Sequence, residues 1–129
     1  MNKTALMIPA LALALSVSAA QAAAPASAKI AATFGNTVMS IYPDGRSQKI
    51  WLKEDGSWTG QSRRGNPLAG KWTAKGDKVC LKQTSPAIPF VTFCQEFPSD
   101  PAKGTDSKDL TGTKIHLKLV KGHVTRSAS

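Results

Sequence analysis

The chain has 129 residues, with 17 Lys and Arg against 8 Asp and Glu and a formal charge of +9. That length holds a single domain and excludes a multidomain enzyme, a channel or a repeat array. The basic balance favours anionic partners but names no activity.

Residues 1–22 begin Met-Asn-Lys, continue through an apolar run from Ala5 to Val17, and end Ser18-Ala19-Ala20-Gln21-Ala22. A positive start, a short apolar middle and a small-x-small end are the parts of a secretory signal peptide. The run contains Pro9 and falls short of the roughly 20 apolar residues a spanning helix needs. Cleavage after Ala22 is expected, with Ala24 the alternative because the alanines continue, leaving no transmembrane segment in the mature chain and a periplasmic or secreted destination. The cut removes only Lys3 among the charges, leaving +8 on 107 residues. Of those 107, only 20 are Val, Ile, Leu or Phe. The core must be small, and a covalent constraint would help it.

Residues 23–35 are Ala-rich, with Pro25 and Ser27, and read as a flexible leader. A β domain is expected over 36–126 and a tail at 127–129. From Thr37 apolar and polar residues alternate, punctuated by Pro43-Asp44-Gly45, Glu54-Asp55-Gly56, Lys75-Gly76-Asp77 and Lys121-Gly122. This is hairpin chemistry. It predicts strands at roughly 37–42, 46–53, 57–62, 70–74, 78–83, 89–95, 113–120 and 123–126. Residues 98–109, with Pro98, Pro101 and Gly104, read as a loop or short helical turn. The fold class is all-β: a small antiparallel meander, barrel or sandwich, of seven to eight strands. No later window keeps a 3.6-residue apolar period.

Cys80 and Cys94 are the chain's two cysteines. An even count in an exported chain predicts one disulfide, closing a loop worth about 3 kcal/mol. Strand alternation puts Val79 and Leu81 on one face and Lys78, Cys80 and Lys82 on the other. It likewise sets Ile115, Leu117 and Leu119 against Lys114, His116 and Lys118. Ile50 and Leu52 share a face, which leaves Trp51 outside with Lys49 and Lys53.

No catalytic residue, cofactor or metal is predicted. Paired-carboxylate catalysis needs two acids across a cleft, and the two glutamates, Glu54 and Glu96, show no such pairing. Asp44, Asp55 and Asp77 are turn residues. His116 reads as the polar face of a strand and His123 as a turn residue. Lys49, Trp51, Lys53, Arg63 and Arg64 are the candidate contacts for an anionic envelope polymer or surface, with Trp51 available for stacking. There is no specific nucleic-acid motif. Trp58 and Trp72, near Gly60 and Gly70, read as core anchors. With so few large apolar residues, side chains are expected to fill the interior and leave no ligand cavity.

Several segments carry a resemblance. They are Tyr42-Pro-Asp-Gly, Lys49-Ile-Trp-Leu, Asp55-Gly-Ser-Trp-Thr-Gly, Gly70-Lys-Trp and Gly76-Asp-Lys-Val-Cys-Leu, followed by Cys94. Together, over roughly residues 36–126, they resemble small exported alphaproteobacterial proteins of no established function. Leu68-Ala-Gly-Lys-Trp72 with Cys80 is also similar to calycin-type barrels, including periplasmic inhibitors of secreted metalloproteases. The first resemblance implies a two-cysteine β domain. The second implies a barrel and an alternative role as inhibitor of a secreted hydrolase. The reading that follows is a monomeric, non-catalytic binding protein of the cell envelope. The alternatives are that inhibitor and an uncharacterised enzyme.

Overall fold

Tight turns set the topology. Gly56 and Gly65 hold φ of 86° and 85°, a region that only glycine enters without cost. Each closes a two-strand hairpin whose register follows from the turn. In the computed structural model, which describes residues 26–125, these hairpins run on into one another. The signal peptide, its cleavage site, the first residues of the leader and the tail lie outside the described residues.

A short helix, α1 (Ala28–Ala31), precedes eight antiparallel strands. They are β1 (Thr37–Ile41), β2 (Ser47–Leu52), β3 (Ser57–Gln61), β4 (Pro67–Lys75), β5 (Lys78–Ser85), β6 (Phe93–Glu96), β7 (Thr105–Lys108) and β8 (Lys114–Val120). They form one sheet in the order β6-β5-β4-β3-β2-β1-β8-β7. The sheet curls into a half-barrel. A right-handed strand twist accumulated over eight strands produces this curl, and among the described residues no second sheet is packed against it. The expected disulfide is present: Cys80 and Cys94 face each other in the β5–β6 register and are bonded.

Inward positions carry the core. Val38, Ile50, Leu52, Trp58, Trp72, Val79, Leu81, Ile115, Leu117 and Leu119 are buried in one cluster, as the alternation predicts. Trp58 is fixed at both ends of its polar reach: its indole N–H lies 3.1 Å from the Lys71 carbonyl and 3.3 Å from that of Lys82. Gly70 makes room for it. A Cβ there would meet the Lys82 carbonyl and come within 2.5 Å of the Trp58 indole nitrogen.

Four expectations are corrected. Residues 98–109 are not all loop, because Thr105–Lys108 pairs with β8 as an edge strand. Its run Thr-Asp-Ser-Lys has no large apolar residue, so its strand pairing comes from its neighbour rather than its own pattern. The strand expected at 89–95 begins only at Phe93, after a Pro-rich connection. Residues 123–125 form no strand; the Val124 N–H instead donates to the Thr37 hydroxyl at 2.9 Å.

The fourth concerns the leader. Its described part carries helix α1, capped where the Ser27 hydroxyl accepts from the Ile30 N–H. Ile30 is only 1% exposed and belongs to the core. Burying that side chain contributes about 2 kcal/mol. Phe34 follows, its ring 5.7 Å from that of Trp72. Lys29 pairs with Glu96 at 3.1 Å and with Asp77 at 3.8 Å. Helix α1 thus plugs one end of the half-barrel, beside the connections β4–β5 and β6–β7.

Candidate ligand cleft

In an antiparallel meander, alternate connections lie at the same end. The turns β1–β2, β3–β4, β5–β6 and β7–β8 therefore gather at the end away from α1. There the interior is not filled. A cleft of about 430 Å³ runs inward from this end, within the range of small-molecule sites.

Its floor and walls are apolar: Ile50, Trp58, Leu68, Leu81, Phe97 and Ile115, with Ile88, Val91 and Phe93 from the β5–β6 side. The filled-barrel expectation is therefore corrected for this half of the molecule. The physical reason is which residues occupy the inward positions. Toward α1 they are Val38, Leu52, Trp72, Val79 and Leu119, joined by Ile30. Toward the open end they are Ser40, Gln48, Ser62 and Gln83, which cannot complete a close-packed apolar core.

The rim is a chain of polar contacts. The Tyr42 hydroxyl donates to Asp109 Oδ2 at 2.9 Å. The Arg63 guanidinium lies 3.9 Å from the centroid of the Tyr42 ring, a cation–π distance. Burial pushes the Tyr42 phenol up to about 12, with the Asp109 hydrogen bond and charge adding to it and Arg63 opposing. Partial burial alone would raise the Asp109 carboxyl. Hydrogen bonds from Thr111, Thr113 and Tyr42 outweigh that and hold it below its ordinary value.

The two edges of the sheet meet beside the cleft. No backbone ladder joins β6 to β7, but the Gln95 side-chain amide donates to the Ser107 hydroxyl across the gap.

The predicted anion contacts do not converge. Arg63 and Arg64 stand exposed at the rim of the cleft. Trp51 and Lys49 lie on the opposite, outer face of the sheet. Lys49 is only 3% exposed, beside Met39 in the β1–β2 register and with its ammonium 3.4 Å from the Ser47 hydroxyl. Trp51 is half-buried: its indole N–H donates to Thr37 at 2.8 Å and its ring stacks on His123 at 3.9 Å. Lys53 is exposed beyond the end of β2. Its carbonyl accepts from the Trp72 indole at 2.8 Å.

His116 Nδ1 lies 2.9 Å from Asp106 Oδ1 on the outer face of β7–β8, a cross-strand pair that ties the edge strand down. Among the described residues no three His, Cys, Asp or Glu side chains group as a metal site. Nor is any helix there long and apolar enough to cross a membrane.

The cleft was legible in hindsight from one signal. On the strands β1, β2 and β5 the inward series reads Val38–Ser40, Leu52–Ile50–Gln48 and Val79–Leu81–Gln83, turning polar toward one end each time. No protein family, curated protein or solved structure matches the chain.

Proposed function

We propose that the protein is a non-catalytic binding module of the cell envelope, and that it holds a small apolar or amphipathic molecule in the open end of the half-barrel. The observation that carries this reading is the cleft of about 430 Å³ with Trp58, Leu68, Leu81 and Phe93 on its walls and glutamines and serines inside. A mostly apolar cavity with a few placed polar groups is the usual form of a small-ligand site. The disulfide and the export-type N-terminal sequence support the envelope as its compartment.

The test is titration with a neutral apolar dye whose emission rises in an apolar site. The wild-type protein should bind one dye per chain. Ser40→Phe fills the cleft from inside and Ile88→Trp narrows it at the rim; both should weaken binding about tenfold or more. Equal dye binding by wild type and both variants refutes the reading.

A further inference from the structure

The open end carries two features that ligand binding in the cleft does not require. The first is apolar. Phe90 is fully exposed (103%) and Leu110 is 57% exposed; they are the exposed large hydrophobic residues among those described. They stand on different connections, β5–β6 and β7–β8, which the meander brings to the same end. Both border the cleft: Ile88 and Val91 line it on either side of Phe90, and Leu110 itself lines it between Asp109 and Thr111. Phe90 has a φ of 64°, the positive value that among the described residues is otherwise confined to glycine. That backbone conformation costs free energy for a bulky residue. Here it accompanies a ring held in water rather than turned into the apolar cleft beside it.

The second feature is charge. Glu54, Asp55, Asp77, Glu96 and Asp100 all lie toward the α1 end, on or next to its connections. The open end has Asp44, Asp106 and Asp109 against Arg46, Arg63, Arg64, Lys108 and Lys114. Of these acids, Asp109 is already occupied by hydrogen bonds from Tyr42, Thr111 and Thr113, Asp106 faces His116, and Asp44 lies 3.9 Å from Arg46. The α1 end offsets its acids with Lys29, Lys53, Lys71, Lys75, Lys78, Lys103 and Lys121, so both ends are net positive; what sets the open end apart is that its cations include Arg46, Arg63 and Arg64 and stand beside exposed apolar tips.

We infer that this end docks on an anionic lipid surface. Phe90 and Leu110 enter the boundary between headgroups and acyl chains, and Arg46, Arg63 and Arg64 face the phosphates. A soluble polyanion would use the arginines and leave the two apolar tips in water. A lipid surface satisfies both at once. The cleft then opens onto the membrane. The inference does not depend on what the cleft holds: Phe90 is outside the cleft lining, so its variants read docking alone, whereas Leu110, Arg63 and Arg64 also border the cleft.

The experiment is flotation with vesicles of phosphatidylglycerol and phosphatidylcholine, compared with phosphatidylcholine alone, using the protein in the form its cell produces. Wild type should float with the anionic vesicles and much less with the neutral ones. Phe90→Ser and Leu110→Ser should each lower partitioning about tenfold. Arg63→Ser and Arg64→Ser should each lower it about fivefold at low salt. Heparin binding should be unchanged in Phe90→Ser and Leu110→Ser. Both side chains are exposed, so these variants keep the fold. A Phe90→Trp variant reads the tip directly: vesicles with brominated acyl chains should quench its added emission. Unchanged flotation of Phe90→Ser and Leu110→Ser, an unquenched Trp at position 90, or an equal loss of heparin binding overturns the inference. Dye binding in the absence of vesicles separates that failure from failure of the cleft reading.

Discussion

The Tyr42 hydroxyl reaches across 67 residues of sequence to bond Asp109 Oδ2 at 2.9 Å. One end of this contact follows β1, and the other opens the turn between β7 and β8. It therefore joins neighbouring hairpins at the rim of the cleft.

Tyr42 is the chain's single tyrosine, so its ionisation can be followed without interference. Its folded value is raised from 10.0 to about 12. A raised value means that the stabilisation is whole below about pH 10 and is lost as pH rises through about 12. Tyrosinate absorbance should show a midpoint near 12 in the folded protein. Asp109→Asn should bring it back toward 10. A wild-type midpoint at 10 contradicts the contact.

Asp109 has the opposite sign. Its folded value is lowered, so its contribution is present above about pH 4 and disappears as pH falls through the lowered value. Asp109→Asn should be less stable than wild type at neutral pH, by denaturant midpoint. The gap should close on acidification below pH 4. A gap that stays constant down to that pH would show that the carboxylate charge is not what matters.

Gly70 has no room for a methyl group. A Cβ would overlap the Lys82 carbonyl and crowd the Trp58 indole. Gly70→Ala should cost about 1–3 kcal/mol, the usual range for overpacking, and should shift Trp58 emission. A neutral result would mean that Trp58 sits elsewhere.

The Cys80–Cys94 bond staples the four-residue strand β6 to β5. Reduction, or Cys80→Ser with Cys94→Ser, should lower stability by about 3 kcal/mol. Amide exchange should rise first in β6, which is an edge strand and has one ladder partner. Two free thiols in unreduced protein would remove the bond altogether.

Ile30 tests whether the N-terminal segment is part of the fold. Ile30→Ala should cost about 2–5 kcal/mol, and it should loosen the Phe34–Trp72 contact. A freely moving leader would give no change in thermal midpoint.

Strand alternation made much of the sheet readable, because Ile115, Leu117 and Leu119 or Val79 and Leu81 leave one register with a buried face. The turns were readable because glycine marks them. Four things were not. β7 has no apolar pattern and takes its conformation from pairing with β8. Ile30 is a lone large apolar residue among alanines, and a single residue has no period. The scatter of the candidate contacts Lys49, Trp51, Lys53, Arg63 and Arg64 was hidden for a different reason: alternation assigns a face but says nothing of what else packs there. In the structure Thr37 and His123 occupy the Trp51 ring and its N–H. The cleft was missed because composition counts residues without locating them. The interior is apolar enough to fill one end and polar enough to leave the other open.

The meeting of Gln95 and Ser107 bears on how quickly a guest could come and go. In a closed barrel, a side entrance requires a row of main-chain hydrogen bonds to break together. Here β6 and β7 are held at their gap by side-chain atoms, so parting them disturbs no ladder. For the ligand proposed to bind the cleft, this seam would be a slit along the wall. Through it a long, thin molecule could slide in sideways, one end at a time, while the rest of the sheet stays folded.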